Sequence, residues 1–264
     1  MRMGTNSIKA HPVFGFLFTY YSFRESLLTR WSPGAGVFCQ GAGGQDFPGW
    51  SEYLNGGWVD PDTVPEKRKK GLSWLIDFLK AVHSRPKSFG CFGLHEWAMV
   101  YHEEQPRHNI SFRISPQTIA RVVEEGPLCC THYDAFRFFS RNAVPLNRNQ
   151  LERTSQIQFD QGGCLHVNMD LYKWAYKFYP WIASELILEA FLLARDARIL
   201  DMQASPYDLR EYGFTPVRIE TREGRREYEE RQRELADKAQ PVRIKILEAL
   251  EVLALDRVHQ VAAK

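Results

Sequence analysis

Residues 166–201 read HVNMDLYKWAYKFYPWIASELILEAFLLARDARILD, and this stretch decides the fold. Apolar side chains recur at helical spacing on both sides of a central proline, so the stretch predicts two consecutive helices, 166–178 and 182–201. The first helix is apolar or aromatic around most of its surface and keeps His166 and Asp170 on one narrow polar stripe. Such a helix has to be buried by others, and the stretch therefore predicts a helical core that contains polar groups.

The segments around this pair also follow helical patterns. Further predicted helices cover residues 66–83, 94–102, 131–140 and 221–238, with an amphipathic helix at 242–258 after an interruption at Pro241. Residues 32–65 are rich in glycine and proline and predict a long loop, while 109–114 alternate as one short strand does. We therefore expect one mainly α-helical domain spanning residues 1–264, with charged and then amphipathic C-terminal helices over 221–258.

Composition narrows the class of protein. The chain has 264 residues, 44% of them hydrophobic, and a net charge of only +2, which argues against a dedicated duplex-DNA surface. Its five cysteines show no CxxC spacing, so neither a disulfide framework nor a thiolate zinc site is expected. The apolar run 13–21 is too short to cross a bilayer, and we expect a cytoplasmic protein without a membrane partner.

Three histidines mark a candidate site. His95, His132 and His166 lie in apolar or aromatic segments, and each segment also contains a carboxylate. These carboxylates are Glu96, Asp134 and Asp170. Because histidine and carboxylate are costly to bury without a partner, we expect the segments to share one polar site. At least two of the three histidine side chains should lie within about 8 Å of each other, as ligands of one ion would.

Each candidate also has a purely structural interpretation. His166 and Asp170 could be metal ligands, an acid–base pair or part of a solvated stripe. Thr131 and Asp134 match a capping box, which would place His132 in the first helical turn, where the helix dipole favours the neutral imidazole.

The remaining polar residues are weaker candidates. His95 lies deeper in its apolar run than His102, which we expect near the surface, and His11 is a plausible fourth imidazole. Glu185, Glu189 and Asp196 share one helix face and could hold a metal in a bundle, but the spacing favours an exposed acidic stripe. Asp201 reads as a residue at the end of a helix.

Several long strings resemble a bacterial family whose members carry the automatic label "3-methyladenine DNA glycosylase". The strings are HPVFGFLFTYYS (11–22), CFGLHEWAMVY (91–101), HYDAFRFF (132–139), GCLHVNMDLYKW (163–174) and LDMQASPYDL (200–209). The resemblance covers most of residues 10–240 and implies excision of alkylated bases from duplex DNA. The chain has no helix-hairpin-helix with a downstream catalytic aspartate, so this activity ranks second.

The leading hypothesis is a metal-dependent enzyme that acts on a small organic or base-like substrate. It includes a non-haem iron or manganese oxidoreductase, because histidine and carboxylate ligands favour these metals over zinc here. The predicted metal ligands are His95, His132, His166 and His11, and the predicted catalytic residues are Asp134, Asp170 and Glu96. The alternatives are the glycosylase, with Asp134 or Asp170 acting on a flipped base, and a protein that binds haem or another planar cofactor. The oligomeric state does not follow from the sequence.

The charge balance predicts weak binding to duplex DNA. With a net charge of +2 and mixed signs along residues 222–233, the dissociation constant at physiological salt should be micromolar or poorer, the range of non-specific binding. Fluorescence anisotropy with a labelled duplex measures it. Nanomolar affinity that survives added salt would contradict this expectation.

Overall fold

The computed structural model describes residues 8–24, 27, 30–41, 54–55, 57–103 and 110–261, with side chains described up to residue 255 except at 54–55. The fold is mainly α-helical, as predicted. The bounded helices are α1 Gly15–Thr19, α2 Glu66–Ser84, α3 His95–Met99, α4 Pro116–Glu125, α5 Tyr133–Phe136, α6 Gln156–Phe159, α7 Leu165–Tyr176, α8 Ser184–Gln203 and α9 Arg222–Val261. Strands β1 Leu54–Asn55 and β2 Trp58–Val59 form a small antiparallel hairpin.

The pair α7 and α8 forms the centre of the fold, and α9 packs on both of them and on α2. Eight of the twelve residues of α7 are buried, which is why its sequence is apolar on nearly every side. In α8 the buried stripe includes Ala190, Ala194 and Ala197, whose small side chains permit close approach of the neighbouring helices. The prediction that 166–201 forms two core helices is confirmed.

The C-terminal helix differs from its prediction. An interruption was expected at Pro241, but α9 continues through it as one helix. Proline removes a backbone hydrogen bond and crowds the preceding turn. Here Ala239 and Val242, on either side of Pro241, are both buried against the core. Packing of this apolar face outweighs the local cost of the proline.

The shorter helices also depart from the sequence patterns. The predicted 94–102 helix ends at Met99, and His102 has a left-handed φ of 53°. The predicted 131–140 helix is only the four residues of α5. Conversely, α4 was not predicted. Its N-cap residue is Ser115, whose side chain accepts a hydrogen bond from the Thr118 backbone N–H, and proline occupies the first helical position.

The predicted strand and the predicted long loop both contain backbone pairing among their described residues. Residue 109 of the predicted strand 109–114 lies outside the described residues, and within 110–114 the structure has a single bridge, between Phe112 and Tyr207. In the long 32–65 loop, the described residues contain the β1–β2 hairpin and a 3₁₀ turn at Pro61–Thr63. Ala35 anchors this loop to the core by donating its backbone N–H to the Trp181 carbonyl at 2.7 Å. No helix in the described ranges is both long enough and apolar enough to cross a membrane.

One ion pair connects the segment before α4 to the segment before α9. The Arg113 guanidinium donates to both carboxylate oxygens of Glu220, at 2.6 and 2.8 Å, and to the Ser205 carbonyl at 3.1 Å. Burial alone would raise the pKa of Glu220, but the hydrogen bonds and charge of Arg113 outweigh it and lower the pKa. The ionised pair therefore stabilises the folded state.

Glu220→Gln should lower the free energy of unfolding by about 1–3 kcal/mol at pH 7. The pKa of Glu220 is lower in the folded state than in the unfolded state. The stabilisation is therefore complete at a pH above the unfolded-state pKa and is lost as the pH falls through the folded-state pKa. Urea unfolding of both proteins between pH 7 and pH 3 measures it. The control Glu227→Gln alters an exposed pair with Arg231 and should change stability by less than about 0.5 kcal/mol. A pH-independent difference for Glu220→Gln would contradict the assignment.

Candidate metal centre

The three predicted histidines meet at the buried side of α7. His166 lies on the first turn of α7, His95 begins α3, and His132 precedes α5. The ring centroids of His95 and His166 are 4.1 Å apart, and those of His132 and His166 are 6.0 Å apart. The expected proximity of these histidines is confirmed.

His95 and His166 form a group with Asp201, near the C-terminal end of α8. The Asp201 Oδ1 atom lies 3.4 Å from His95 Nδ1 and 3.8 Å from His166 Nε2. Each of the three residues offers a ligand atom within 4.8 Å of the other two, so one ion could contact all of them. Asp201 is fully buried, and neither its Oδ1 nor His95 Nδ1 has a hydrogen-bond partner among the described residues. These two atoms lie 3.4 Å apart without a hydrogen bond between them, so a cation bound by both would give each a partner.

Arg198 and Glu96 support this group. Arg198 Nη1 donates to Glu96 Oε1 at 2.9 Å and to Asp201 Oδ2 at 2.6 Å, which leaves Asp201 Oδ1 to the histidines. Glu96 Oε1 also lies 3.5 Å from His95 Nε2. One guanidinium faces two carboxylates, so the local charge stays negative when both are ionised. This net negative charge favours the binding of a further cation.

The protonation state of His166 suits metal binding. Burial lowers its pKa well below the ordinary range, and the nearby charges of His95 and His132 lower it further. His166 is therefore a neutral imidazole near pH 7, the form that coordinates a metal.

A second group lies beside the first and contains His132, Asp134 and Asp170, again with ligand atoms within 4.8 Å. This group already holds a cation. The Lys173 ammonium donates to Asp170 and to Asp134, the latter at 3.5 Å. Burial would lower the pKa of Lys173, but Asp170 and the other neighbouring groups outweigh it and raise the pKa. The charged lysine thus competes directly with any metal at these carboxylates.

His132 is oriented by a carboxylate that the sequence analysis missed. Its Nδ1 lies 3.1 Å from Asp160 Oδ2, and its Nε2 lies 3.7 Å from Asp170 Oδ2. Burial would lower the pKa of His132, but Asp160 and Asp170 outweigh it and raise the pKa. The expectation of a neutral His132 at a helix N-terminus is wrong, because two carboxylates dominate over the dipole of a four-residue helix.

The predicted capping box is also absent. Residue 132, rather than Thr131, occupies the N-cap position of α5, and its side chain makes no cap hydrogen bond. Asp134 instead contacts Lys173 and, at 3.2 Å, Arg137 Nε. Asp134 therefore belongs to the polar cluster rather than to a helix cap.

A small cavity joins the two groups. Its volume is about 40 Å³, and its walls include His95, His132, His166 and Asp170. Aromatic side chains complete the lining: Phe16, Tyr20, Tyr21 and Phe138. A space of this size holds roughly one to three waters, or an ion with a water.

Other predicted residues lie elsewhere. His11 belongs to neither group; its Nδ1 accepts the Val13 and Phe14 backbone N–H groups, and its ring stacks on Phe14. His102 is exposed, as expected, 3.7 Å from Glu124. The acidic stripe of α8 is at the surface, where Glu189 pairs with Lys245 at 2.8 Å.

Asp201 is the main residue that sequence reasoning missed, because it was read as a helix end. The helix continues to Gln203, and Asp201 extends the buried stripe of Ala190, Ala194 and Ala197 at helical spacing. That helical spacing is the feature of the sequence that indicates a buried Asp201. Asp160 follows a polar connection without helical periodicity, so nothing in the local pattern indicated its burial.

Four cysteines surround a second cavity of about 30 Å³ that shares His95 and His166 with the first. They are Cys91, Cys129, Cys130 and Cys164, all free thiols. Burial raises the pKa of each of the four thiols, which keeps them protonated. Among the described residues, no thiol belongs to a group that could hold a metal.

No protein-family model matches the chain, and no curated protein or solved structure is significantly similar to it. The resemblance to the family labelled as glycosylases therefore stays a prediction, and the geometry of the site carries the functional argument.

Cys164 should resist alkylation in the folded protein. Its thiol is 5% exposed, and burial raises its pKa well above the ordinary value, so the reactive thiolate is scarce at pH 8. Iodoacetamide labelling followed by peptide mass spectrometry should find Cys164 unmodified without denaturant and fully modified in it. Rapid labelling under native conditions would show that the cavity wall opens.

Proposed function

We propose that the protein is a metal-dependent enzyme whose ion is bound by His95, His166 and Asp201. Two histidines and one carboxylate, with further coordination positions open, are the ligand set typical of non-haem iron(II) oxygenases. The observation that carries the proposal is that His95 Nδ1 and Asp201 Oδ1 are both buried and have no hydrogen-bond partner among the described residues. Iron is favoured over zinc, with manganese next.

The comparison with the neighbouring group supports this placement. Asp170 pairs with the Lys173 ammonium and Asp134 with both Lys173 and Arg137, whereas Asp201 Oδ1 faces the imidazole nitrogens of His95 and His166. A metal at Asp170 would have to displace a buried lysine whose pKa is raised. A metal at Asp201 displaces no hydrogen bond.

A bound ferrous ion would supply one-electron and dioxygen chemistry. The chain's own residues would position the ligands and protonate the substrate. Glu96 and Arg198 hold His95 and Asp201 in place. Asp160 fixes the ring of His132, whose Nε2 faces the Asp170 side of the cavity. Since its pKa is raised, His132 is suited to donate a proton to a substrate oxygen or nitrogen in the cavity.

The size of the cavity ranks the alternatives. Pockets for drug-sized ligands are roughly 300–1,000 Å³, whereas this cavity has about 40 Å³. Haem would require displacement of its aromatic walls, while an ion with water or dioxygen fits as built; a flipped base meets the same limit of volume as the base-like substrate of the leading proposal. The small organic or base-like substrate then reacts at the edge of the cavity or after movement of a wall residue.

Metal analysis of five variants tests the assignment. Protein purified without a His-tag and loaded with iron(II) under anaerobic conditions should hold about one ion per chain. His166→Ala and Asp201→Asn should lose most of this metal while remaining folded. His132→Gln, which changes a histidine of the same cavity outside the proposed ligand set, should retain it, as should the surface control Glu189→Gln. Glu96→Gln should weaken metal affinity by roughly 10–100-fold, as loss of a supporting carboxylate does.

Two results would contradict the proposal. One is full metal content in His166→Ala together with its loss in His132→Gln, which would move the site to the other group. The other is release of an alkylated base from duplex DNA by metal-free protein, abolished by Asp134→Asn or Asp170→Asn, which would favour the glycosylase.

A further inference from the structure

A separate groove of about 730 Å³ opens at the surface between α2 and the C-terminal end of α7. Helix α2 contributes Lys67, Arg68 and Trp74, while Trp174 and Lys177 come from α7 and its end. The segment after α1 closes one side. Its volume is within the range of small-molecule sites, unlike that of the histidine cavity.

The groove is strongly positive. Four cations line it, namely Arg24, Lys67, Arg68 and Lys177, and none of the described lining residues is acidic. The whole chain is nearly balanced, with 34 basic and 32 acidic residues, so this is a local concentration of charge. Burial and the nearby charge of Lys173 lower the pKa of Lys177, which an anion in the groove would reverse.

Aromatic rings form the floor of the groove. Trp74 is 41% exposed and is held in position by Phe78, on which it stacks at 5.2 Å, and by Trp174, whose edge it meets at 6.0 Å. The Lys177 ammonium lies 4.5 Å from the centre of the Trp174 ring. Arg68 is also fixed, because its Nη1 donates to the Tyr179 carbonyl at 3.0 Å.

We propose that this groove binds a planar aromatic anion of the size of a mononucleotide. An exposed, immobilised indole offers a stacking surface, and stacking on such rings is favourable for every nucleobase. The cations that line the groove supply the positive charge that a phosphate dianion requires. Stacking or charge alone would be common on a protein surface, but here both occur in one concave site.

The groove is physically connected to the histidine cluster. Lys173 lies 4.5 Å from the Trp174 ring and also donates to Asp170 and Asp134. An anion seated near Trp174 would therefore act on the lysine that neutralises those carboxylates. The groove does not include His95, His166 or Asp201, so ligand binding there does not require the metal.

Titration of the intrinsic tryptophan fluorescence with adenosine 5′-monophosphate tests the proposal. The nucleotide should quench the emission saturably, in metal-loaded and in chelator-treated protein alike. Trp74→Leu should weaken binding by about tenfold, the effect of removing one stacking contact. Lys67→Ala should also weaken it and reduce its salt dependence. Trp58→Leu replaces another exposed tryptophan, outside the groove, and should leave the affinity unchanged.

Adenosine and inorganic phosphate separate the two components of recognition. Both should bind much more weakly than the nucleotide, because each uses only half of the site. Circular dichroism confirms that the variants are folded, and Lys177→Gln is a second variant that leaves both indoles in place. The proposal would be overturned by absence of quenching in wild type, by equal affinity for phosphate and nucleotide, or by unchanged affinity in both Trp74→Leu and Lys177→Gln. Binding to oligonucleotides alone would also overturn it.

Discussion

The site depends on the buried hydrogen bonds that the Arg198 guanidinium donates to Glu96 and Asp201. Two carboxylates in an apolar helical core would be prohibitively costly without it. The guanidinium neutralises one negative charge and fixes the orientation of Asp201, but it does not satisfy Oδ1. The result is a carboxylate oxygen that faces two imidazoles, and this group could hold a divalent cation.

The rest of the cluster follows the same principle on the other side of α7. Asp170 and Asp134 are balanced by Lys173 and Arg137, and His132 is balanced by Asp160. One cavity thus contains a group whose charge is balanced internally and a group whose charge is not. In the proposed function, this asymmetry divides the site into a metal-binding side and a side that positions and protonates the substrate, so the two similar groups of ligands have different roles.

Much of this could be predicted from the sequence, for identifiable reasons. The helices α2, α7 and α8 have long apolar periodicity, and His95, His132 and His166 were identified because they interrupt apolar segments. Asp201 and Asp160 could not be identified in that way, since their partners are remote in sequence: Asp201 contacts residues from α3 and α7, and Asp160 contacts residue 132. The interruption predicted at Pro241 was wrong for a related reason. Tertiary packing on both sides of the proline keeps α9 continuous, and the local sequence does not indicate that packing.

The most direct measurement of the central claim is a crystal structure of the protein soaked in Mn²⁺, with an anomalous difference map. The account predicts one strong peak within about 2 Å of His95 Nδ1, His166 Nε2 and Asp201 Oδ1, with Lys173 still bound to Asp170. A peak between Asp134 and Asp170 with Lys173 displaced, or a map without a peak at either group, would contradict it.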